Sequence, residues 1–466
     1  MSTASRSIYW EEACSLLYLA SPLFLFFAFF VRFEMAVPAC LLMVACAFAL
    51  IRDTDWKKPV LSRTSLYYLG LSALWIWMSG GFGVFHQNSD WLKHYSIINF
   101  LAQNRWPAEA VEAPIGQAAI RYSIGWYLVP ALALKLTNPH WQNAVASLWS
   151  IAGVFFFFSL LPKLAPNTRS VAIVTPLVFI VFGGADLLGT MISGYQHGPQ
   201  YHFQWWSGWI EFPANTTSIF WVPQHAIPSW IGLALLMGQR SRTALLPYAA
   251  LLFSAVLLWS PFAALGLFPF ALALLWQHGA RSMMFGWQPI AAALLLAVPI
   301  SSYLLSGVSS VPHGMITKLR CVLADGACFT WFSYARFLLI EVGIPLLILA
   351  FRRHGENGFL LAAALTLCLF PLYRVGANND FAMRATIPAL ALLAILCADV
   401  LVTGPRMLAA AVALVLIAAL PTTIGEIRRG LSNGPNLDVN TSFDSPWAAA
   451  YTDQYFAPLP IWILRP

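Results

Sequence analysis

The chain has 466 residues, of which 59% are hydrophobic and only 10% are charged, and its formal net charge is +7. A soluble domain carries about a quarter charged residues, so this composition excludes an ordinary soluble protein. The basic residues are scattered through short segments rather than gathered in a patch, which argues against a nucleic-acid-binding protein. No GxGxxG, Walker or CxxC motif is present.

Repeated apolar runs of roughly 15–22 residues predict an all-α polytopic membrane protein. About thirteen transmembrane helices are expected from run length. They lie near residues 10–31, 35–51, 64–85, 142–161, 170–186, 226–238, 243–259, 261–277, 288–306, 333–351, 358–373, 383–402 and 406–422. The first run lacks a convincing signal cleavage site and is interpreted as a retained anchor.

The positions of lysine and arginine test this topology, because these residues concentrate in cytoplasmic loops. A cytoplasmic N-terminus places nearly every short basic loop inside and the C-terminus outside. The inside loops contain Arg52, Lys57, Lys58, Arg63, Lys163, Arg169, Arg240, Arg242, Arg281, Arg352, Arg353 and Arg406. Residues 1–422 are therefore predicted to form a bundle with outer loops at 86–141, 187–225 and 307–332, followed by an outer tail at 423–466.

Two features of the outer loops leave alternatives open. Residues 117–136 predict an amphipathic helix at the outer interface or a re-entrant helix, since Arg121, Pro130 and Lys135 interrupt its apolar run. An ordinary crossing helix is the alternative. Cys321 and Cys328 share one outer loop, where they either form a disulfide or remain free thiols.

The segment His86-Gln-Asn-Ser-Asp90-Trp-Leu-Lys93-His94 follows the third span. If it is helical, Asp90, Lys93 and His94 share one face, and Ser89 is a suitable N-cap. A carboxylate at a partly desolvated membrane mouth is expected to have a raised pKa, as a general base requires. The alternative is an interfacial helix in which Asp90 only pairs with Lys93.

A second polar segment, Tyr373-Arg374-Val-Gly-Ala-Asn378-Asn379-Asp380-Phe-Ala-Met-Arg384, connects two predicted spans. Guanidinium groups match phosphate oxygens, so Arg374 and Arg384 are predicted to bind a lipid phosphate. The alternative is an Asp380–Arg384 ion pair with caps from Asn378 and Asn379. Asn379 and Asp380 are also predicted to contact substrate.

The loop 195–230 combines aromatic rings with amides, carboxylate and imidazole groups, a mixture that suits sugar binding. The candidate substrate contacts are His202, Glu211, Gln224 and His225. An aromatic belt at the membrane interface explains the tryptophans but not these polar residues. Three histidines would also suit a metal ion, but no HxH or HExxH spacing is present, so no metal cofactor is indicated.

Further candidates lie at the outer ends of other spans. Arg336 is predicted either to pair with Glu341 or to join the phosphate-binding residues. Asp186 follows Gly183-Gly184 and is a candidate second acid.

This arrangement resembles the GT-C superfamily of integral membrane glycosyltransferases. The resemblance is carried by Ser89-Asp90-Trp-Leu-Lys93-His94, the helix that follows it to about Gln103, and the interrupted helix 117–136. It departs from the family in two ways: the large loop follows the third span rather than the first, and Trp91 replaces the second acid of a paired-acid motif. Asp186, Glu211 or Asp380 would then supply that acid.

The resemblance implies transfer of a sugar from a polyprenyl-phosphate donor to a glycan, lipid or protein acceptor, at the outer face of the plasma membrane of a bacterium. Asp90 would act as the general base of an inverting displacement, while Lys93, Arg336, Arg374 and Arg384 would bind the donor phosphate and His94 would contact substrate. Nucleic acid is not an expected partner. An O-antigen ligase or polymerase, a transporter or flippase, and a non-enzymatic assembly subunit are the alternatives.

Overall fold

The computed structural model describes residues 8–57, 62–110, 118–164, 169–195, 203–208, 210–279, 287–318, 329–352, 357–376, 379–434, 455–458, 460 and 462–465. Within these ranges, nine helices are long and apolar enough to cross a membrane. The predicted class, an all-α polytopic membrane protein, is confirmed at this level. The total of about thirteen spans stays a prediction.

Helices dominate the chain. Their bounds are α1 Trp10–Phe29, α2 Phe33–Arg52, α3 Arg63–Met78, α4 Asp90–Gln103, α5 Gly125–Leu136, α6 Gln142–Leu160, α7 Arg169–Val181, α8 Asp186–Ser193, α9 Asn215–Trp221, α10 Pro223–Gly238, α11 Ala249–Trp259, α12 Pro261–His278, α13 Trp287–Leu305, α14 Trp331–Leu338, α15 Ile344–Phe351, α16 Asn357–Leu369, α17 Asp380–Ala385, α18 Ile387–Thr403 and α19 Arg406–Ser432. A π-helical turn, Leu339–Gly343, connects α14 to α15.

Short strands join segments that are far apart in sequence. The strands are β1 Ile8–Tyr9, β2 Thr54–Asp55, β3 Glu109–Ala110, β4 Ala118–Ile120, β5 His313–Met315, β6 Tyr373–Val375 and β7 Phe456–Ala457. β1 pairs with β2 in parallel, β3, β4 and β7 form an antiparallel sheet, and β5 pairs with β6. Each strand has only two or three residues, too few for an alternating pattern to be visible in the sequence.

Loops with the predicted cytoplasmic charges meet at one end of the bundle, which we call the basic end. Lys163 Nζ lies 3.3 Å from Glu11 Oε1, and Arg242 pairs with Glu12. The Arg242 guanidinium and the Lys163 ammonium both lie over the Tyr9 ring. Further contacts at this end join Gln277 to Arg240 and Arg352 to Asp399. We call the opposite end, which contains β4 and β7, the site end.

The single helix predicted over 117–136 is wrong in part. Residues 118–120 form β4, and the helix begins only at Gly125. Trp126 and Tyr127 are fully buried, and α5 packs against α1, α4 and α6. A Cβ atom at Gly125 would lie 2.7 Å from Trp259 Cα, so glycine permits the close approach of α5 to α11.

Helix α19 continues to Ser432, past the predicted end of the last span near residue 422, so the first residues of the predicted outer tail are helical. The described residues of 455–465, which we call the C-terminal strap, return to the site end. There β7 pairs with β4, and Arg465 N–H donates to the Phe30 carbonyl at 2.9 Å. The strap is thus fixed to the bundle by backbone hydrogen bonds.

Gly266 controls the packing of α12 against α17, the helix that carries Arg384. A Cβ atom at Gly266 would collide with the backbone oxygen of Ala385. We expect Gly266→Ala to destabilise the protein by about 1–3 kcal/mol through this overpacking. The loss should appear as a lower melting temperature in detergent, followed by tryptophan fluorescence.

Gly70→Ala is the matched control, since nothing lies within 4 Å of a Cβ atom at this helical glycine. Its melting temperature should be equal to or slightly above that of the wild type, because alanine favours a helix. Equal losses in both variants would contradict the packing explanation.

Candidate functional site

The break between α9 and α10 exposes two backbone carbonyls. His225 N–H donates to Val222 O at 2.9 Å rather than to Trp221 O, and no described backbone hydrogen bond reaches Phe220 O. Pro223, between them, has no N–H group to donate. The carbonyls of Phe220 and Trp221 are therefore free to accept hydrogen bonds from another element.

Helix α4 and the residues before it bind to these carbonyls. Phe220 O accepts hydrogen bonds from Asn88 Nδ2 at 2.8 Å and from Trp91 Nε1 at 2.9 Å. His94 Nε2 lies 2.9 Å from Trp221 O. The side chains of Asn88, Trp91 and His94 thus fix the start of α4, whose first residue is Asp90.

His94 takes part in this docking as a neutral imidazole. Burial, together with the charge of Lys93, lowers the pKa of His94 to about 3, so the ring is neutral at pH 7. A carbonyl can only accept, so Nε2 donates to Trp221 O and Nδ1 accepts from Tyr127 Oη, 2.8 Å away. Both ring nitrogens thus have protein partners, and the substrate contact of His94 stays a prediction.

The backbone around Asp90 is capped by a different residue from the one expected. Asn88 Oδ1 accepts the Asp90 N–H at 3.0 Å, whereas Ser89 makes no capping hydrogen bond. The Asp90 side chain is 29% exposed and accepts a 2.8 Å hydrogen bond from Lys93 Nζ. The predicted Asp90–Lys93 contact is therefore confirmed, and the predicted Ser89 cap is wrong.

The expected rise in the pKa of Asp90 is also wrong. Burial by itself raises this pKa. Neighbouring charges, including those of Lys93 and Arg384, lower it by more, so the pKa of Asp90 lies below its ordinary value. Asp90 is thus ionised at neutral pH. The influence of Arg384 also shows that tertiary packing brings α17 into electrostatic range of α4, nearly three hundred positions earlier in the chain.

Arg384 is held by a partner on its own helix. Its Nη2 donates to Asp380 Oδ1 at 2.6 Å, which confirms the predicted ion pair. Asp380 also packs closely against Gly376, whose φ of +85° favours glycine. Arg374 Nε donates to Gly376 O at 2.9 Å, beside the glycine that Asp380 contacts.

Asn379 occupies the N-cap position of α17 in a left-handed conformation, with φ 54°. It is 4% exposed, and its amide atoms have no hydrogen-bond partner among the described residues. The predicted cap from Asn379 is therefore absent. Asn378 lies outside the described residues.

The start of α10 adds two more predicted residues. His225 Nδ1 lies 2.6 Å from Ser260 Oγ, and His225 is in electrostatic range of Arg384 and Lys93. Gln224 is fully buried, and its Nε2 donates to Tyr122 Oη at 3.4 Å.

Glu211 lies in the segment before α9. Burial raises the pKa of Glu211 to about 8, and the Asp186 carboxyl adds to this rise, while the charge of Arg384 opposes it. Glu211 therefore titrates near neutral pH and belongs to the electrostatic surroundings of Arg384.

Two tyrosines of this region were missed in the sequence. Tyr122 follows β4, and Tyr455 belongs to the C-terminal strap; both are in electrostatic range of Lys93. Neither belongs to a sequence motif that would have indicated a role. We call the whole group the Asp90–Arg384 site; it comprises Asp90, Lys93, Tyr122, Glu211, Gln224, His225, Asp380, Arg384 and Tyr455.

The sequence candidates Asp186 and Glu341 form a separate buried carboxyl pair. Their side chains are hydrogen-bonded to each other. Thr422 Oγ1 donates to Asp186 Oδ2 at 2.8 Å, and Trp206 Nε1 donates to Glu341 Oε1 at 2.9 Å.

The predicted Arg336–Glu341 pair is not formed, because the π-helical turn carries Glu341 to Asp186. Arg336 Nε is buried without a hydrogen-bond partner in the described ranges, and no described contact joins Arg336 to Asp90. His202, Cys321 and Cys328 lie outside the described residues. Within the ranges that are described, no three His, Cys, Asp or Glu residues are grouped to hold a metal ion.

No protein-family model, curated protein or solved structure matches this chain. The likeness to GT-C glycosyltransferases therefore rests on the residues of the chain itself.

The neutral state of His94 has a measurable effect on stability. Between its ordinary pKa near 6.5 and about 3, the unfolded chain binds a proton at His94 that the folded chain does not. Stability should therefore fall as the pH drops through this window, by at most about 1.4 kcal/mol per pH unit. His94→Gln should lower the melting temperature at pH 7 and flatten its fall between pH 6.5 and 4. His140→Gln, at an exposed histidine, should keep the wild-type slope.

Glu211 has the opposite pH dependence. Between its ordinary pKa of 4.5 and about 8, the folded chain holds a proton that the unfolded chain has lost. Stability should therefore decrease as the pH rises from 5 to 8, again by at most about 1.4 kcal/mol per unit. Glu211→Gln should flatten this decrease in melting temperature. An unchanged slope in this variant would show that Glu211 does not titrate in this range.

Proposed function

We propose that the protein is an inverting glycosyltransferase that moves a sugar from a polyprenyl-phosphate donor to an acceptor hydroxyl at the outer face of the plasma membrane. The observation that carries this proposal is the grouping of ionised Asp90 with Lys93 and Arg384 at one end of an apolar helical bundle. A carboxylate and two cations beside a membrane suit a lipid-phosphate substrate.

The cations account for donor binding. Lys93 and Arg384 each form one ion pair, with Asp90 and Asp380, and each retains further N–H donors for a phosphate group. They are in electrostatic range of each other, and the proposal has both of them act on one phosphate. Fixed cations stabilise negative charge as it develops on a leaving phosphate.

The reaction is a single displacement at the anomeric carbon. The acceptor oxygen forms a bond to C1 of the sugar, while the bond from C1 to the phosphate oxygen breaks and its electron pair leaves with the polyprenyl phosphate. The acceptor proton passes to the Asp90 carboxylate. Since its pKa is low, Asp90 is a modest base, and the good leaving group carries more of the reaction.

The remaining polar groups would recognise sugar or acceptor hydroxyls. Gln224, His225, Glu211 and Asn379 have the amide, imidazole and carboxyl groups that this task requires. Among the candidate second acids, Asp186 interacts with Glu341 and Asp380 pairs with Arg384. Glu211 is the candidate that remains for this role.

One observation favours a second candidate. His225 has no described partner for Nε2 and lies in electrostatic range of Arg384, and a histidine with arginines is the combination expected of an O-antigen ligase or polymerase. Such an enzyme would also bind a lipid phosphate but would depend on His225 rather than on Asp90. A lipid transporter or flippase would need neither residue for group transfer.

Asp90→Asn tests the proposal. The amide keeps the shape of the side chain but cannot accept the proton, so transfer should fall by about 10²–10⁴-fold. The measurement is release of polyprenyl phosphate by purified protein in lipid nanodiscs, over a panel of undecaprenyl-phosphate-linked sugars, with the product anomer determined by NMR. We expect an inverted anomer from the wild-type protein. Asp90→Asn should still fold, with a lowered melting temperature because Lys93 loses its carboxylate partner.

Ser89→Ala is the matched control, since this neighbouring exposed side chain makes no capping hydrogen bond. It should retain wild-type transfer. Full activity of Asp90→Asn would remove Asp90 from the mechanism, and loss of activity in His225→Ala alone would favour the ligase. Movement of lipid between leaflets of proteoliposomes, without any sugar transfer, would favour the flippase.

A further inference from the structure

The C-terminal strap brings a tyrosine into the Asp90–Arg384 site from the far end of the chain. Tyr455 immediately precedes β7 and is only 7% exposed. Its ring packs edge-on against that of Tyr122, with 5.0 Å between ring centroids. The contact follows from strand register rather than from a local sequence motif.

The register fixes which residues meet. β4 and β7 are antiparallel, with Ile120 opposite Phe456. One step further, Arg121 N–H donates to the Tyr455 carbonyl at 2.6 Å. Tyr122 and Tyr455 are therefore neighbours at the point where the chain passes from β4 to α5.

Lys93 connects the two phenols to the rest of the site. Its ammonium group interacts electrostatically with Asp90, Tyr122 and Tyr455, and also with Arg384. Tyr455 is further within electrostatic range of Asp90 and Asp380. The Tyr455 phenol is thus within electrostatic range of residues from both ion pairs of the site.

The hydrogen bonding of Tyr122 indicates what the phenols can bind. Its oxygen accepts a hydrogen bond from Gln224 Nε2, which leaves the phenolic hydrogen available for a separate acceptor. The Lys93 ammonium, the Arg384 guanidinium and the Tyr122 hydroxyl are within electrostatic range of one another, and such donors suit phosphate oxygens.

We propose that Tyr455, together with Tyr122, positions the phosphate group of the lipid donor, so that the C-terminal strap completes the donor-binding site. This inference rests on the proposed function for the identity of the donor. It adds a residue, and a segment of the chain, that the proposed mechanism does not use. Tyr455 is a positioning residue here, since the bond-making steps involve Asp90 and the leaving phosphate.

Tyr455→Phe tests this role, because it removes the hydroxyl group and keeps the ring packed against Tyr122. The probe is undecaprenyl phosphate, titrated into the full-length protein in lipid nanodiscs and detected by native mass spectrometry. A lost hydrogen bond to a charged group should weaken binding roughly tenfold or more. Undecaprenol, which has the same chain without the phosphate, should bind the variant and the wild type equally.

Tyr334→Phe is the matched control, because its hydroxyl donates to the Cys368 carbonyl and not to the Asp90–Arg384 site. This variant should bind undecaprenyl phosphate as tightly as the wild type. In transfer assays Tyr455→Phe should raise the KM for the donor and leave kcat nearly unchanged, a division that a general loss of structure would not produce.

The outcomes separate this inference from the proposed function. Unchanged undecaprenyl phosphate binding by a folded Tyr455→Phe protein would overturn the inference, as would equal losses for undecaprenol, or a wild-type protein that does not bind the phosphate lipid. Phosphate-selective weakening in a protein that transfers no sugar would support the inference and contradict the glycosyltransferase proposal. If Tyr455→Phe weakens binding of the phosphate lipid selectively, and Asp90→Asn abolishes transfer but retains that binding, both hold.

Discussion

The docking of α4 on the open carbonyls at the end of α9 is the interaction on which the site depends. Pro223 interrupts the helix after Trp221, and the unused carbonyls of Phe220 and Trp221 accept hydrogen bonds from Asn88, Trp91 and His94. Buried carbonyls without partners would be costly, so the break and the docking stabilise each other. The orientation of Asp90 follows directly from this contact.

The charges of the site are balanced in pairs. Lys93 is paired with Asp90 and Arg384 with Asp380, and each pair lies on a single helix at i,i+3 or i,i+4 spacing. Burying such charges is expensive unless they are paired, which accounts for the presence of both carboxylates. Pairing also has a chemical consequence: cations that raise affinity for a phosphate lower the pKa of Asp90, so phosphate binding and base strength oppose each other in this site.

Local contacts were the part of the site that could be predicted. Asp90–Lys93 and Asp380–Arg384 follow from helical spacing alone, and both pairs are present. Predictions failed where a segment distant in the sequence supplied a different bonding partner. Ser89 is replaced as the cap by Asn88, whose other amide atom is held by Phe220. Likewise, Glu341 lies beside Asp186 instead of Arg336. Residues 118–120, which were predicted to begin a helix, form the strand β4.

The sequence by itself determined the class of protein, the polar segments that flank the apolar runs, and the ion pairs within single helices, because composition and helical periodicity are local properties. Only the tertiary structure decided that α4, α10, α17 and the C-terminal strap share one site, that His94 is neutral and structural, and that Asp90 has a lowered pKa. These depend on which charges and carbonyls approach from elsewhere in the chain. For Tyr455 the deciding factor was a strand of two residues, whose pairing with β4 is set by the packing of the whole site end.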